Sequence, residues 1–81
     1  MPTEASYNYF LDNKEKWLAA NPGFYVVIKD GKLCGIYDSE INVEGNAPKY
    51  GSDLLIIHLD PEGIKEYKLV GLKQYRLKNK L

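Results

Sequence analysis

Residues that carry chemistry are scarce in this sequence. Its 81 residues include one cysteine, one histidine, one arginine and one tryptophan. A single cysteine excludes an intramolecular disulfide and fits a reducing compartment. One histidine and one cysteine leave a structural zinc site two ligands short, and no CxxC, HxxxH or acidic calcium loop is present. Without GxGxxG or GxxxxGK[ST] there is no phosphate loop of the familiar nucleotide-binding kinds. No cofactor and no metal are expected. The longest apolar run, residues 54–57, falls far short of a bilayer span, and the first residues do not read as a signal peptide. These features predict a soluble cytoplasmic protein with no membrane contact.

Net charge is also lacking: 11 basic and 11 acidic residues cancel. The balance hides an asymmetry. Residues 1–64 hold five basic against ten acidic residues, whereas residues 65–81 hold six basic against one acidic. Lys68, Lys73, Arg76, Lys78 and Lys80, with Tyr67 and Tyr75 interleaved, form a basic segment able to contact a polyanion, by gripping phosphates and stacking on bases. A single arginine argues against base-specific readout, which favours that side chain. Nucleic acid is therefore the lesser of the expected partners.

What the sequence does contain is a hairpin. Residues 24–38 place two apolar runs around Asp30-Gly31, a dipeptide suited to a type I′ turn. Counting outward from that turn pairs Lys29 with Lys32, Ile28 with Leu33, Val27 with Cys34, Val26 with Gly35, Tyr25 with Ile36 and Phe24 with Tyr37. Phe24, Val26, Ile28, Leu33 and Tyr37 then share a core face with Gly35, which leaves room for Trp17. The other face carries Tyr25, Val27, Cys34 and Ile36, too apolar for a solvated surface. It is expected to meet another part of the chain or another protein.

Upstream, residues 3–20 read as an amphipathic helix, with Thr3 or Ser6 as N-cap and a stripe of Tyr7, Phe10, Leu11, Trp17 and Leu18. Pro22 ends it. Downstream, residues 39–52 read as an irregular loop pinned by Ile41, Val43 and Tyr50. A single helical turn is possible there, between an Asn46 cap and Gly51. Residues 53–60 form a third, central strand, with Leu55, Ile57 and Leu59 toward the helix and Leu54, Ile56 and His58 away from it. Asp60-Pro61-Glu62-Gly63 is a turn. Residues 64–70 read as a fourth strand, and 71–81 as the basic C-terminal segment.

Cys34 and His58 fall on the same far face, so a thiolate–imidazole pair is conceivable. No oxyanion hole or orienting carboxylate accompanies them, and an enzyme is not expected. The interface set is Tyr25, Val27, Cys34, Ile36, Leu54 and Ile56, predicted to support self-association or contact with another protein.

Trp17-Leu18, Pro22-Gly23, Tyr25-Val26-Val27, Asp30-Gly31, Gly35 and Asp38-Ser39 together resemble a small family of archaeal and bacterial domains of unknown function. The resemblance covers about half the chain and implies a helix, a hairpin, a second helix and a further strand. Residues 39–52 lack the pattern of that second helix. The sequence therefore predicts one α+β domain, a helix on a three- or four-stranded, mostly antiparallel sheet. Its expected function is protein interaction through a homodimer.

Overall fold

The computed structural model describes residues 2–67. Helix α1 (Glu4–Ala20) covers one face of a four-stranded antiparallel sheet made of β1 (Tyr25–Lys29), β2 (Lys32–Tyr37), β3 (Leu55–His58) and β4 (Lys65–Glu66). Strand order across the sheet is β2-β1-β3-β4. A second helix, α2 (Glu40–Asn46), continues into a 3₁₀ turn (Ala47–Tyr50) and covers the other face. The architecture is α+β, as its sequence predicts. Of the predicted strand over 64–70, Lys65 and Glu66 form β4, Ile64 and Tyr67 lie outside it, and the residues beyond 67 lie outside the described residues.

Thr3 caps α1, its hydroxyl accepting from the Ser6 N–H at 3.3 Å. Ser6 is buried, and its Oγ accepts the N–H of Gly31 at 3.1 Å, which ties the helix start to the hairpin tip. That bond turns the helix away from the expected stripe. Ser6, Phe10 and Trp17 face the sheet, flanked by Tyr9 and Leu18. Leu11 and Tyr7, predicted to lie on the stripe, are instead 55% and 38% exposed. Tyr7 points along the sheet to β4, where its hydroxyl donates to the Glu66 carboxylate at 3.2 Å. The Asn21 N–H closes the helix onto the Trp17 carbonyl at 2.7 Å.

Under α1 the core consists of Phe10, Trp17, Val26, Ile28, Leu55, Ile57 and Leu59. Ile28, Leu55 and Leu59 are fully buried, and each stabilises the fold by roughly 1.5–3 kcal/mol relative to exposure. The assignment of Leu55, Ile57 and Leu59 to this face agrees with the strand's alternation.

The hairpin begins as predicted. Asp30 and Gly31 have φ of 51° and 76°, the paired left-handed values of a type I′ turn. Lys29 opposes Lys32 and Ile28 opposes Leu33. Beyond these pairs a β-bulge breaks the register, so that Val27 opposes Gly35, Val26 opposes Ile36 and Tyr25 opposes Tyr37. Uninterrupted counting assigns Cys34 a partner that it lacks, because Cys34 is the extra residue. Three assignments reverse in consequence, those of Gly35, Ile36 and Tyr37. Ile36 packs toward α1, and Tyr37 packs toward α2. Gly35 does not receive Trp17. The Tyr37 ring folds over it, with its Oη only 2.8 Å from where a Cβ would stand.

Residues 39–52 are not an irregular loop. Ser39 caps α2 by accepting the Asn42 N–H at 3.2 Å, and Asn42 Nδ2 donates to Asp38 Oδ1 at 2.6 Å. Val43 and Ala47, four residues apart, are buried on the sheet. The packing of this short apolar pair outweighs the helix-breaking tendency of Gly45. The predicted single turn between Asn46 and Gly51 is present as the 3₁₀ turn, although Asn46 makes no side-chain cap.

Candidate interaction surface

The far side of the sheet is built from Tyr25, Val27 and Ile56, closed by Val43 and Ala47 and bordered by Cys34, Tyr37, Tyr50, Leu54 and Tyr67. Of the predicted interface residues, Tyr25, Val27 and Ile56 are buried within the chain, and Cys34 and Leu54 are half-buried at its border. Ile36 lies on the opposite face because of the bulge. The expected apolar face is therefore real, and α2 with the 3₁₀ turn is what meets it.

Hydroxyl contacts lock this layer. Tyr37 Oη and Tyr50 Oη are 2.7 Å apart, and the Lys29 ammonium donates to the Tyr50 carbonyl at 2.9 Å. The Lys29 contact places a cation at the carbonyl end of the 3₁₀ turn, where it offsets unpaired acceptors. Tyr67, whose N–H donates to the Ile56 carbonyl at 2.7 Å, sends its hydroxyl to Glu44 Oε2 at 2.8 Å. The Tyr25 ring stacks on His58 at 4.3 Å, nearly parallel, and meets Tyr67 edge-on at 5.5 Å.

These environments favour protonated phenols. The hydrogen bond to Tyr50, then burial, pushes Tyr37 up to about 12. Burial, then the hydrogen bond and negative charge of Glu44, raises Tyr67. Burial, then the charges of Glu40 and Asp60, raises Tyr25.

Cys34 and His58 are not brought together. Cys34 lies on β2 near the hairpin end, and His58 lies on β3 opposite Tyr25. The two strands flank β1, so at least two strand spacings of about 4.8 Å separate them. Among the described residues no three His, Cys, Asp or Glu side chains converge on one point, and no helix is long and apolar enough to cross a membrane. Lys68, Lys73, Arg76, Lys78 and Lys80 lie outside the described residues.

Sequence reasoning passed over the outer edge of β2. No other strand pairs with it among the described residues. Leu33 on that strand is 37% exposed, and Ile41, in the first turn of α2, is 78% exposed. The hairpin pattern contained the signal, since a terminal hairpin strand without a second partner is a sheet edge. Compared with protein-family models, curated proteins and solved structures, the chain matches none.

Proposed function

We propose that this chain is a small protein-interaction domain that self-associates, working in the cytoplasm with its one thiol reduced. The observation that carries this reading is the outer edge of β2, which no other strand pairs with among the described residues, together with exposed Leu33 on that strand and exposed Ile41 in the first turn of α2. A row of free backbone donors and acceptors beside apolar side chains is a template for strand addition. The apolar sheet face that suggested a homodimer is filled from within, so the contact moves to the edge.

Size-exclusion chromatography with light scattering, over a concentration series at low and high salt, tests the reading. A dimer that grows with concentration and persists in high salt supports it. A monomer throughout overturns it.

Nucleic-acid contact through Lys68, Lys73, Arg76, Lys78 and Lys80 is the second reading. One observation favours it: all 11 acidic residues precede residue 68, while five of the 11 basic ones follow residue 67. It predicts salt-sensitive binding to an oligonucleotide that weakens when Lys73, Arg76 and Lys78 become alanine. No binding at low salt removes it.

A further inference from the structure

Resting on the self-association reading, we propose that two copies pair antiparallel through their β2 edges. The two-fold axis runs through the Cys34–Gly35 bulge, with Leu33 of each copy opposite Ile36 of the other.

The phase of the sheet's hydrogen bonds leads to this pairing. The Leu59 N–H donates to the Phe24 carbonyl at 2.8 Å, so the Phe24 carbonyl faces β3, and alternation along β1 directs the N–H and C=O groups of Val26 and Ile28 toward β3 as well. Alternation turns Tyr25, Val27 and Lys29 toward β2. Their partners Tyr37, Gly35 and Lys32 therefore direct their own amides inward. Leu33 and Ile36 are left with N–H and C=O directed outward.

In an unbroken strand, two residues three apart in sequence cannot both point outward. The bulge makes it so. The same irregularity puts Leu33 and Ile36 on one face, since they oppose Ile28 and Val26, both of which pack under α1. Leu33 facing Ile36 of a second copy thus meets the hydrogen-bond requirement and the side-chain requirement together. Without the bulge, a two-fold centred on Gly35 would set Leu33 against Tyr37, and no symmetric register would set it against Ile36.

Charge agrees with this register. Lys32 falls opposite Tyr37 of the second copy and within reach of Asp38 of the second copy, and symmetry repeats the arrangement at the other end. A bulge commonly discourages edge pairing. Here the two-fold lays one bulge against the other, so the extra local twist of each strand is matched by its neighbour. Contact is limited to six residues a side, which places it among small interfaces, below about 1,200 Å² in total, that dissociate on dilution.

The proposed register brings the two Cys34 Cα atoms roughly 6 Å apart, inside the span of a disulfide. Cys34 therefore serves as a proximity probe. Diamide oxidises two thiols to a disulfide, taking up their two protons and two electrons itself. The experiment combines diamide treatment of the whole chain, read on a non-reducing gel, with light scattering of wild type and of Leu33→Pro. Proline at Leu33 removes an outward N–H that the monomer's sheet does not use.

The expected result is a band at twice the 9.3 kDa chain mass, absent in Cys34→Ser. Leu33→Pro is expected to be a folded monomer that no longer cross-links. If circular dichroism shows Leu33→Pro unfolded, Leu33→Lys replaces it with the same expected outcome. A wild-type dimer that survives the folded edge variant, or that does not cross-link at Cys34, overturns this geometry and leaves self-association standing. A wild-type monomer at every concentration overturns both.

Discussion

The helix over the far face makes a sharp stability prediction at Val43. Its side chain is fully buried on the sheet with Val27, Ile56 and Ala47. Val43→Ala removes two methyl-sized groups, worth about 1.6 kcal/mol at ~0.8 kcal/mol each. The cavity left behind adds about 1 kcal/mol. Alanine's better helix propensity returns roughly 0.5 kcal/mol. The net loss is about 2 kcal/mol, or a fall in Tm of roughly 8–16 °C for a domain of this size. Urea unfolding followed by Trp17 fluorescence measures it, with Ile41→Ala as the control. Ile41 is 78% exposed in the same helix, so its truncation is expected to cost no more than about 0.5 kcal/mol. If the two variants lose the same stability, or Val43→Ala is indistinguishable from wild type, α2 does not pack on the sheet as described.

Gly45 of α2 has open space where a Cβ would stand, so Gly45→Ala should stabilise the protein by about 0.5–1 kcal/mol in the same assay. Ser6→Ala removes the acceptor for the Gly31 N–H and should cost about 1–3 kcal/mol, with faster amide exchange at Gly31; unchanged exchange would count against the anchor. Gly35→Ala should displace the Tyr37 ring and cost about 1–3 kcal/mol, and in the background of Tyr37→Ala the same change should cost much less. The raised Tyr37 also sets a pH dependence. The folded state holds its phenol proton more tightly than the unfolded chain, so this contribution is complete below the ordinary tyrosine range. It is lost as pH rises from 10 to about 12. Tyr50→Phe should bring the Tyr37 titration down, as read by ultraviolet absorbance; an unmoved curve would refute the assigned cause.

Much of this fold is legible in the sequence where local chemistry and tertiary packing agree. Asp30-Gly31 specifies a turn that admits positive φ at both positions, and the apolar alternation of residues 55–59 assigns both faces of β3 without ambiguity. The helix over residues 4–20 is equally plain in extent, but its orientation is not. Ser6 is a polar residue that the stripe rule excludes, and it is buried because the Gly31 N–H needs an acceptor. Helix α2 is hidden for a related reason. Gly45 and the asparagines depress its propensity, while the Val43 and Ala47 spacing and the Ser39 cap are signals that a longer apolar stripe would have amplified. The bulge leaves almost no trace in pattern. Pairing by count assumes one residue opposite one, and only the small pair Cys34-Gly35 before a bulky Tyr37 marks the place where that assumption breaks. Because the candidate surface depends on the bulge and on α2, it is the least legible part of the molecule.

Amide hydrogen exchange at Leu33 and Ile36, measured by NMR at low and high protein concentration, tests most directly whether the β2 edge is the interaction surface. Slowing of these two amides at high concentration, with Lys32, Gly35 and Tyr37 protected at both, is the predicted result. Equally rapid exchange of Leu33 and Ile36 at every concentration at which a dimer is populated would contradict it.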